Sequence, residues 1–401
     1  MTDPATSNPP PFPMPRTCPF GPPPQYEQIR REAPISRVTL QDGKQAWLIT
    51  GHAVAREFLS SNRISSSRAN PDFPQVAPGV ATVPLKGAII AMDPPEHSHH
   101  RRMITNEFTV KRVKRMRPQI QQITDRAIDD LLARPKPADL VEALSLPVPS
   151  LVICELLGVP YTDREQFQSR SQIMLSRRST ADQRRDAALW LLQYLNGLVA
   201  GKEAERGDDL LSRLIDKYRD IDAYDRQTVA GMGLLLLIGG HETTANMISL
   251  SVVSLMEDPQ LLDGLRRQPE RTPQLVEELL RFHSVVDVAT SRVVVEDFEL
   301  GGVGFRAGDG VIVAAAAASH DPAVFTGPDT IDVERGARHH LAFGFGVHQC
   351  IGQNLARLEL EIVLNTLFAR VPDLALAEPV ERLPYKQDAL VYGIHRLPVT
   401  W

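Results

Sequence analysis

The sequence predicts a mainly α-helical protein with small β-sheets. Three observations carry that prediction. Asp225 to Met256 reads as a single helix of about 30 residues, well beyond the usual length. Residues 116–133 and 186–200 repeat apolar side chains at helical spacing. Strand-like segments cluster near the two ends, not in the alternation with helices that marks a doubly wound α/β protein.

In chain order, the first 20 residues are rich in proline and read as a flexible, extended arm, with residues 21–401 forming one domain. Residues 35–50 carry β-branched runs on either side of Asp42-Gly43, which predicts a hairpin. Ser150 to Leu157 predicts a short apolar helix that buries Cys154. Thr272-Pro273 starts a helix with proline in the first turn, where its missing N–H is harmless. Residues 291–318, with SRVVVEDFEL, GGVG and DGVIVAAAAA, predict short strands. Gly352 to Val371 returns to helix, and the last 30 residues read as strands and turns.

Composition narrows the function. Forty-four basic against 49 acidic residues leave a net charge of −5, which argues against a general nucleic-acid binder. Three scattered cysteines, Cys18, Cys154 and Cys350, exclude a disulfide-built fold and suit the cytoplasm. The longest apolar stretch, Val229 to Ile238, is about ten residues, against roughly 20 for a bilayer. No signal peptide is visible, and no membrane association is expected.

Chemistry concentrates at Cys350. Residues 343–352, FGFGVHQCIG, place three glycines in a tight loop that ends on a cysteine and runs straight into a helix. Helix-start amides and the positive helix end stabilise a thiolate there, and tune any metal that it binds. Phe343, Gly344, Gly346, His348, Cys350 and Gly352 match six positions of one pattern. That pattern resembles the haem-thiolate signature of the cytochrome P450 monooxygenases. The resemblance spans about residues 20–401 and is nearest to soluble bacterial members, particularly actinobacterial ones. It implies the single-domain cytochrome P450 fold, haem b as cofactor, and Cys350 as axial ligand to the iron.

Further motifs follow in the family's order. The long helix contains Gly239-Gly240-His241-Glu242-Thr243-Thr244, and paired glycines in a helix cost about 1 kcal/mol each against alanine. Leu235, Gly239 and Thr243 share one face. The segment resembles the family's oxygen-activation site, with Glu242 relaying protons and Thr243 positioning dioxygen. By periodicity alone, Glu278 and Arg281 lie off the apolar stripe of their helix and read as a weak surface pair. The resemblance instead makes them a structural triad with Arg335. It also assigns His97, Arg101, Arg292 and His348 to the haem propionates, with arginine suited to bidentate carboxylate binding. By the same analogy the substrate pocket draws on Ile90, Met92, Leu235, Ile238, Gly239, Val288, Ala289 and Leu390, with 160–190 as a lid that includes Arg170, Arg177 and Arg178.

Two rival motifs fail on their own terms. His241-Glu242 begins H-E-x-x-H, but the second histidine position is Ala245. Gly302 to Ala307 fits G-x-G-x-x-A, but an apparent strand follows in place of the required helix. With no visible flavin or nicotinamide module, electrons come from a partner. Residues 101–117 hold seven basic residues and one acidic, by themselves a solvated helix face, and the resemblance implies that part of this surface receives an acidic ferredoxin served by an NAD(P)H-dependent ferredoxin reductase. The expectation is a monomeric, cytoplasmic monooxygenase that hydroxylates a hydrophobic small molecule (a secondary metabolite, a steroid-like compound or a xenobiotic) with dioxygen and two electrons. The alternatives are a nitric oxide reductase, a peroxygenase or a non-catalytic haem protein.

Overall fold

The computed structural model describes residues 9–77 and 85–401. Eight helices position the site: α1 Glu96–Thr105, α2 Arg117–Leu132, α3 Pro147–Leu157, α4 Arg164–Leu175, α5 Ala181–Ala204, α6 Arg226–Glu257, α7 Thr272–His283 and α8 Gln353–Arg370. The predicted long helix is thus one 32-residue element, α6. Its start is fixed by Asp225, whose carboxylate accepts the Thr228 amide at 2.9 Å. Because α6 is apolar all round, it lies in the core, packed against α3, α5, α7 and α8. Gly240 admits α3 closely, since a Cβ there would stand 2.9 Å from Ile153.

The main sheet contains β1 Ile35–Thr39, β2 Gln45–Ile49, β3 Ile64–Ser65, β4 Arg292–Val294 and β5 Gly310–Val313, in the order β1-β2-β5-β4-β3. The hairpin predicted at Asp42-Gly43 is β1–β2, with Val38 opposite Ala46 and Gly43 at φ 81°. β2 and β5 pair in parallel, with Leu48 opposite Ile312. Phe298–Leu300 and Val303–Phe305 form a separate two-stranded ribbon about Gly301 and Gly302. The strand expected to continue through the alanine run stops at Val313, and Ala315–Ser319 is helical. Alanine is the strongest helix former, and no β-branched residue follows Val313 to hold the strand.

The proline-rich segment departs from the flexible arm expected of it. Residues 1–8 lie outside the described residues, but from residue 9 the chain is packed down. Phe12 and Met14 are buried, and the Phe12 amide donates to the Thr39 carbonyl at 2.8 Å. Arg16 donates to the carbonyls of His283 and Ser284, at the end of α7. Two apolar side chains at alternate positions supply the burial that prolines alone do not announce.

Candidate active site

The loop before α8 presents the cysteine. Gly344 and Gly346 both take positive φ, 67° and 74°. Gly346 also touches the chain after α-helix His52–Leu59, where a Cβ would stand 2.4 Å from the Leu59 carbonyl oxygen. The Cys350 amide donates to the Phe343 carbonyl at 2.8 Å and closes the loop. Cys350 is exposed, yet it lies deep enough that burial pushes its thiol pKa up. The amide of Gly352, then Arg101, Arg357 and the amide of Gln353, pull the other way. Cys350 is thus approachable although it is set deep in the protein. Beside it, Phe343 lies under the Arg357 guanidinium, 4.6 Å from its ring centre.

Around Cys350 the structure collects basic side chains, with one carboxylate, Asp93, close enough to act on His97 and Arg292. His97 is buried on α1 and neither ring nitrogen has a hydrogen-bond partner. Its ring centre lies 4.2 Å from that of His348, whose Nε2 meets Ser66 Oγ at 2.9 Å. Arg101, one turn after His97, donates to the Gln349 carbonyl at 2.5 Å. Arg292 opens β4 and donates to the Ser291 carbonyl, and burial lowers its pKa to about 10. Arg68 joins the set and was not found from sequence, because SSSRAN reads only as a loop. Among the described residues, Arg68, Arg101 and Arg292 form no ion pair. Three desolvated arginines face the single carboxylate of Asp93, which already accepts from Ser65 Oγ and the Ser66 amide, so the cluster fits a ligand that brings further carboxylates. The two propionates of haem meet that requirement.

A single stripe of α6 is open. Between Val229 and Leu255 every residue is buried except Leu235, Ile238, Gly239, Gly240 and Thr243. Sequence spacing placed Leu235, Gly239 and Thr243 together, and the structure keeps them so. Thr243 Oγ1 donates to the Gly239 carbonyl at 2.8 Å, and a Cβ on Gly239 would touch nothing within 4 Å. Glu242 turns elsewhere. It is buried, and its Oε1 accepts from Lys386 Nζ at 2.5 Å and from Asn246 Nδ2 at 3.3 Å. Burial opposes the charge, but Lys386, and then His241, hold the carboxyl below its usual range. Lys386 carried no signal in the sequence, where PYKQD looks like an exposed turn.

The remaining pocket residues come from several segments. Ile90, Met92, Val288 and Leu390 are half-buried and Ala289 is exposed. Met92, Leu235 and Ile238 pack on the main core, while Val288 and Leu390 pack on the core around β1, β2 and the N-terminal segment. Leu390 is tied to the end of α4 through its amide and the Leu175 carbonyl, at 2.8 Å. A surface groove of about 830 Å³ runs along α5 past Trp190 and Tyr194 and contains neither the cysteine nor the cations.

Glu278 and Arg281 are not a surface pair. Both are fully buried, with Arg281 Nη2 2.8 Å from Glu278 Oε1 and Arg335 Nε 2.9 Å from the same oxygen. Arg281 also donates to the carbonyls of Ser319, Pro328 and Thr330. The apolar stripe misled because α7 is covered on nearly every side. In the basic run, Arg102, Lys111, Lys114, Arg115 and Arg117 are exposed, while Arg101 faces inward.

An accessible thiol at a helix start, arginines without ion pairs beside it and an open helix stripe with a hydroxyl are together what a haem-thiolate oxygenase requires. The cytochrome P450 family model matches residues 164–371. Pentalenic acid synthase of Streptomyces avermitilis is 46% identical over 404 residues, covering 100% of both chains. Vitamin D3 dihydroxylase of Streptomyces griseolus is 46% identical, covering 100% of this chain and 99% of the other. The crystal structure of cytochrome P450 MoxA from Nonomuraea recticatena matches with a TM-score of 0.90 at 52% identity, over 98% of each chain. The mycinamicin VIII C21 methyl hydroxylase of Micromonospora griseorubida, crystallised with mycinamicin VIII, matches with a TM-score of 0.90 at 39% identity, over 97% and 99%. This chain belongs to the cytochrome P450 family, and it is a monooxygenase that uses haem iron. The fold expected from the signature is the fold observed. No helix among the described residues is long and apolar enough to cross a membrane.

Proposed function

We propose that the chain hydroxylates an apolar organic molecule, a secondary metabolite or steroid-like compound, using dioxygen and two electrons from a ferredoxin. The observation that carries this is the accessible α6 stripe, where Thr243 and Gly239 stand among Leu235 and Ile238. An apolar lining with one fixed hydroxyl suits a hydrocarbon skeleton more than a polar metabolite. The relatives named for vitamin D3 and mycinamicin VIII chemistry agree with that class.

Haem b is the cofactor in this reading, and Cys350 would ligate its iron through sulfur. Bound there, it supplies the oxygen activation that no side chain can. His97, Arg101, Arg292 and His348 would hold the propionates. Phe343, Gly344 and Gly352 shape the loop that carries the sulfur. Thr243 Oγ1 holds a proton at the open stripe, and Glu242 replenishes it. The exposed basic residues of 102–117 receive the ferredoxin, itself reduced by an NAD(P)H-dependent reductase. The protein acts as a cytoplasmic monomer.

The test is a holoenzyme assay with a ferredoxin system under labelled dioxygen. Compounds that shift the iron spin state are expected to gain one labelled oxygen, with matching oxygen uptake. Label-free product, or turnover only with peroxide or nitric oxide, overturns the proposal.

A further inference from the structure

Lysine is almost never fully buried unless paired, so Lys386, at 9% exposure, asks for an explanation. Its partner is Glu242, at 5% exposure. Both hydrogen bonds that Glu242 accepts among the described residues fall on Oε1.

The lysine rides on a hairpin-like segment that touches the site at one end and the lid at the other. At its base, Tyr385 pairs with Ile394, and the Lys386 amide donates to the Gly393 carbonyl at 2.8 Å. Gly393 lies directly on α6, where a Cβ would stand 2.0 Å from Asn246 Oδ1. At its tip, Ser176 pairs with Ala389, and the Arg177 amide donates to the Asp388 carbonyl at 2.7 Å. Arg178 adds an ion pair to Asp388 at 2.6 Å. The end of α4 and the tip of the hairpin are thus joined by main-chain bonds.

We propose that Lys386 is the positioning residue for Glu242, holding its carboxylate charged and turned from the open α6 stripe, and that the 385–394 hairpin makes this hold depend on the 175–178 end of the lid. The inference rests on the reading of Glu242 as proton carrier. A carboxylate locked to an ammonium accepts protons poorly and cannot swing. Displacement of 175–178 by an entering substrate pulls the hairpin base and releases it.

The groups facing the pair are few. His241 precedes Glu242 on α6, its Nδ1 donating to the Leu237 carbonyl and its ring edge-on to Phe167 of α4. Arg16, Tyr26, Arg177 and Asp287 line a small cavity together with Lys386. Lys386 is the one cation that pairs with Glu242 among the described residues. Its removal leaves burial as the dominant influence, which favours the protonated carboxyl.

The experiment follows the protonated-carboxyl stretch of Glu242 in the holoenzyme by pH-difference infrared spectroscopy, with the band assigned by its loss in Glu242→Gln. Lys386→Met is expected to move the titration of that band upward by more than about one pH unit. It should also divert electrons from product to peroxide while leaving the substrate dissociation constant within about twofold. Lys386→Arg should restore both. Asp388→Asn, which removes the ion pair to Arg178 at the tip and a longer 3.7 Å contact to His395, should move the band the same way by less. If Lys386→Met does not fold, Lys386→Gln is read instead. A band that titrates alike in the parent and the lysine variants overturns the proposal, and an unmoved band in Asp388→Asn overturns its link to the lid. A moved band together with unchanged coupling in Glu242→Gln overturns the proton-carrier reading but not the lysine's hold.

Discussion

Arg335 Nε lies 2.9 Å from Oε1 of Glu278, a residue 57 positions earlier, and that single oxygen also accepts Arg281 Nη2 at 2.8 Å and the Asp332 amide at 3.0 Å. One carboxylate therefore gathers α7 and the segment leading toward the cysteine loop.

Glu278→Ala leaves two arginines, one fully buried, without their anion. Breaking a buried pair from one side costs about 3–5 kcal/mol. Urea unfolding of the variant is expected to show that loss. A cost below 1 kcal/mol, the range of exposed pairs, would return the triad to the surface.

Cys350→His should remove the red-shifted Soret band of the reduced carbon monoxide complex, since the band depends on sulfur ligation. Difference spectra check this directly. A surviving band places the iron on another residue.

Gly346 takes φ 74° against the Leu59 carbonyl, whereas Gly197 sits in α5 with nothing within 4 Å of its Cβ position. Alanine at 346 must adopt left-handed backbone, at about 1–2 kcal/mol, and also clash. Alanine at 197 is expected to stabilise by up to about 1 kcal/mol. Thermal unfolding of the two variants should shift in opposite directions, and equal shifts would remove the geometric argument.

Arg292→Met takes a buried cation without an ion pair out of the site. The apo chain should gain stability, by about 1–3 kcal/mol, while the holoenzyme loses haem faster. Chemical unfolding of the apo form and transfer of haem to an acceptor protein measure the two effects. Slower or unchanged haem loss separates Arg292 from the propionates.

Two buried histidines outside the site make the fold sensitive to acid. Burial lowers His283 and His320 to about 3, with Arg16 and His320 adding to the effect on His283 and Arg281 to that on His320. In the unfolded chain both titrate near 6.5, so below that pH the unfolded state binds more protons. Their contribution is complete above about pH 6.5 and falls away toward pH 3. Urea midpoints should decline from pH 7.5 to pH 5, and a flat profile over that range would exclude these groups.

The amino-acid order alone determined what is local: the length of α6, the turn at Gly43, the glycine loop that ends on Cys350, and the shared face of Leu235, Gly239 and Thr243. Each depends on neighbours within a few residues, through backbone sterics or helical period. The burial of Glu278 and Arg281 was not legible that way, because α7 is enclosed by elements remote in sequence. Nor was the partnership of Lys386 with Glu242, across 144 positions, or the convergence of Arg68 with Arg101 and Arg292. Even Phe12 and Met14 gave no hint of their seat on the sheet. Those outcomes belong to tertiary structure, since only the packed chain decides which charges lose their water and which partners they find in its place.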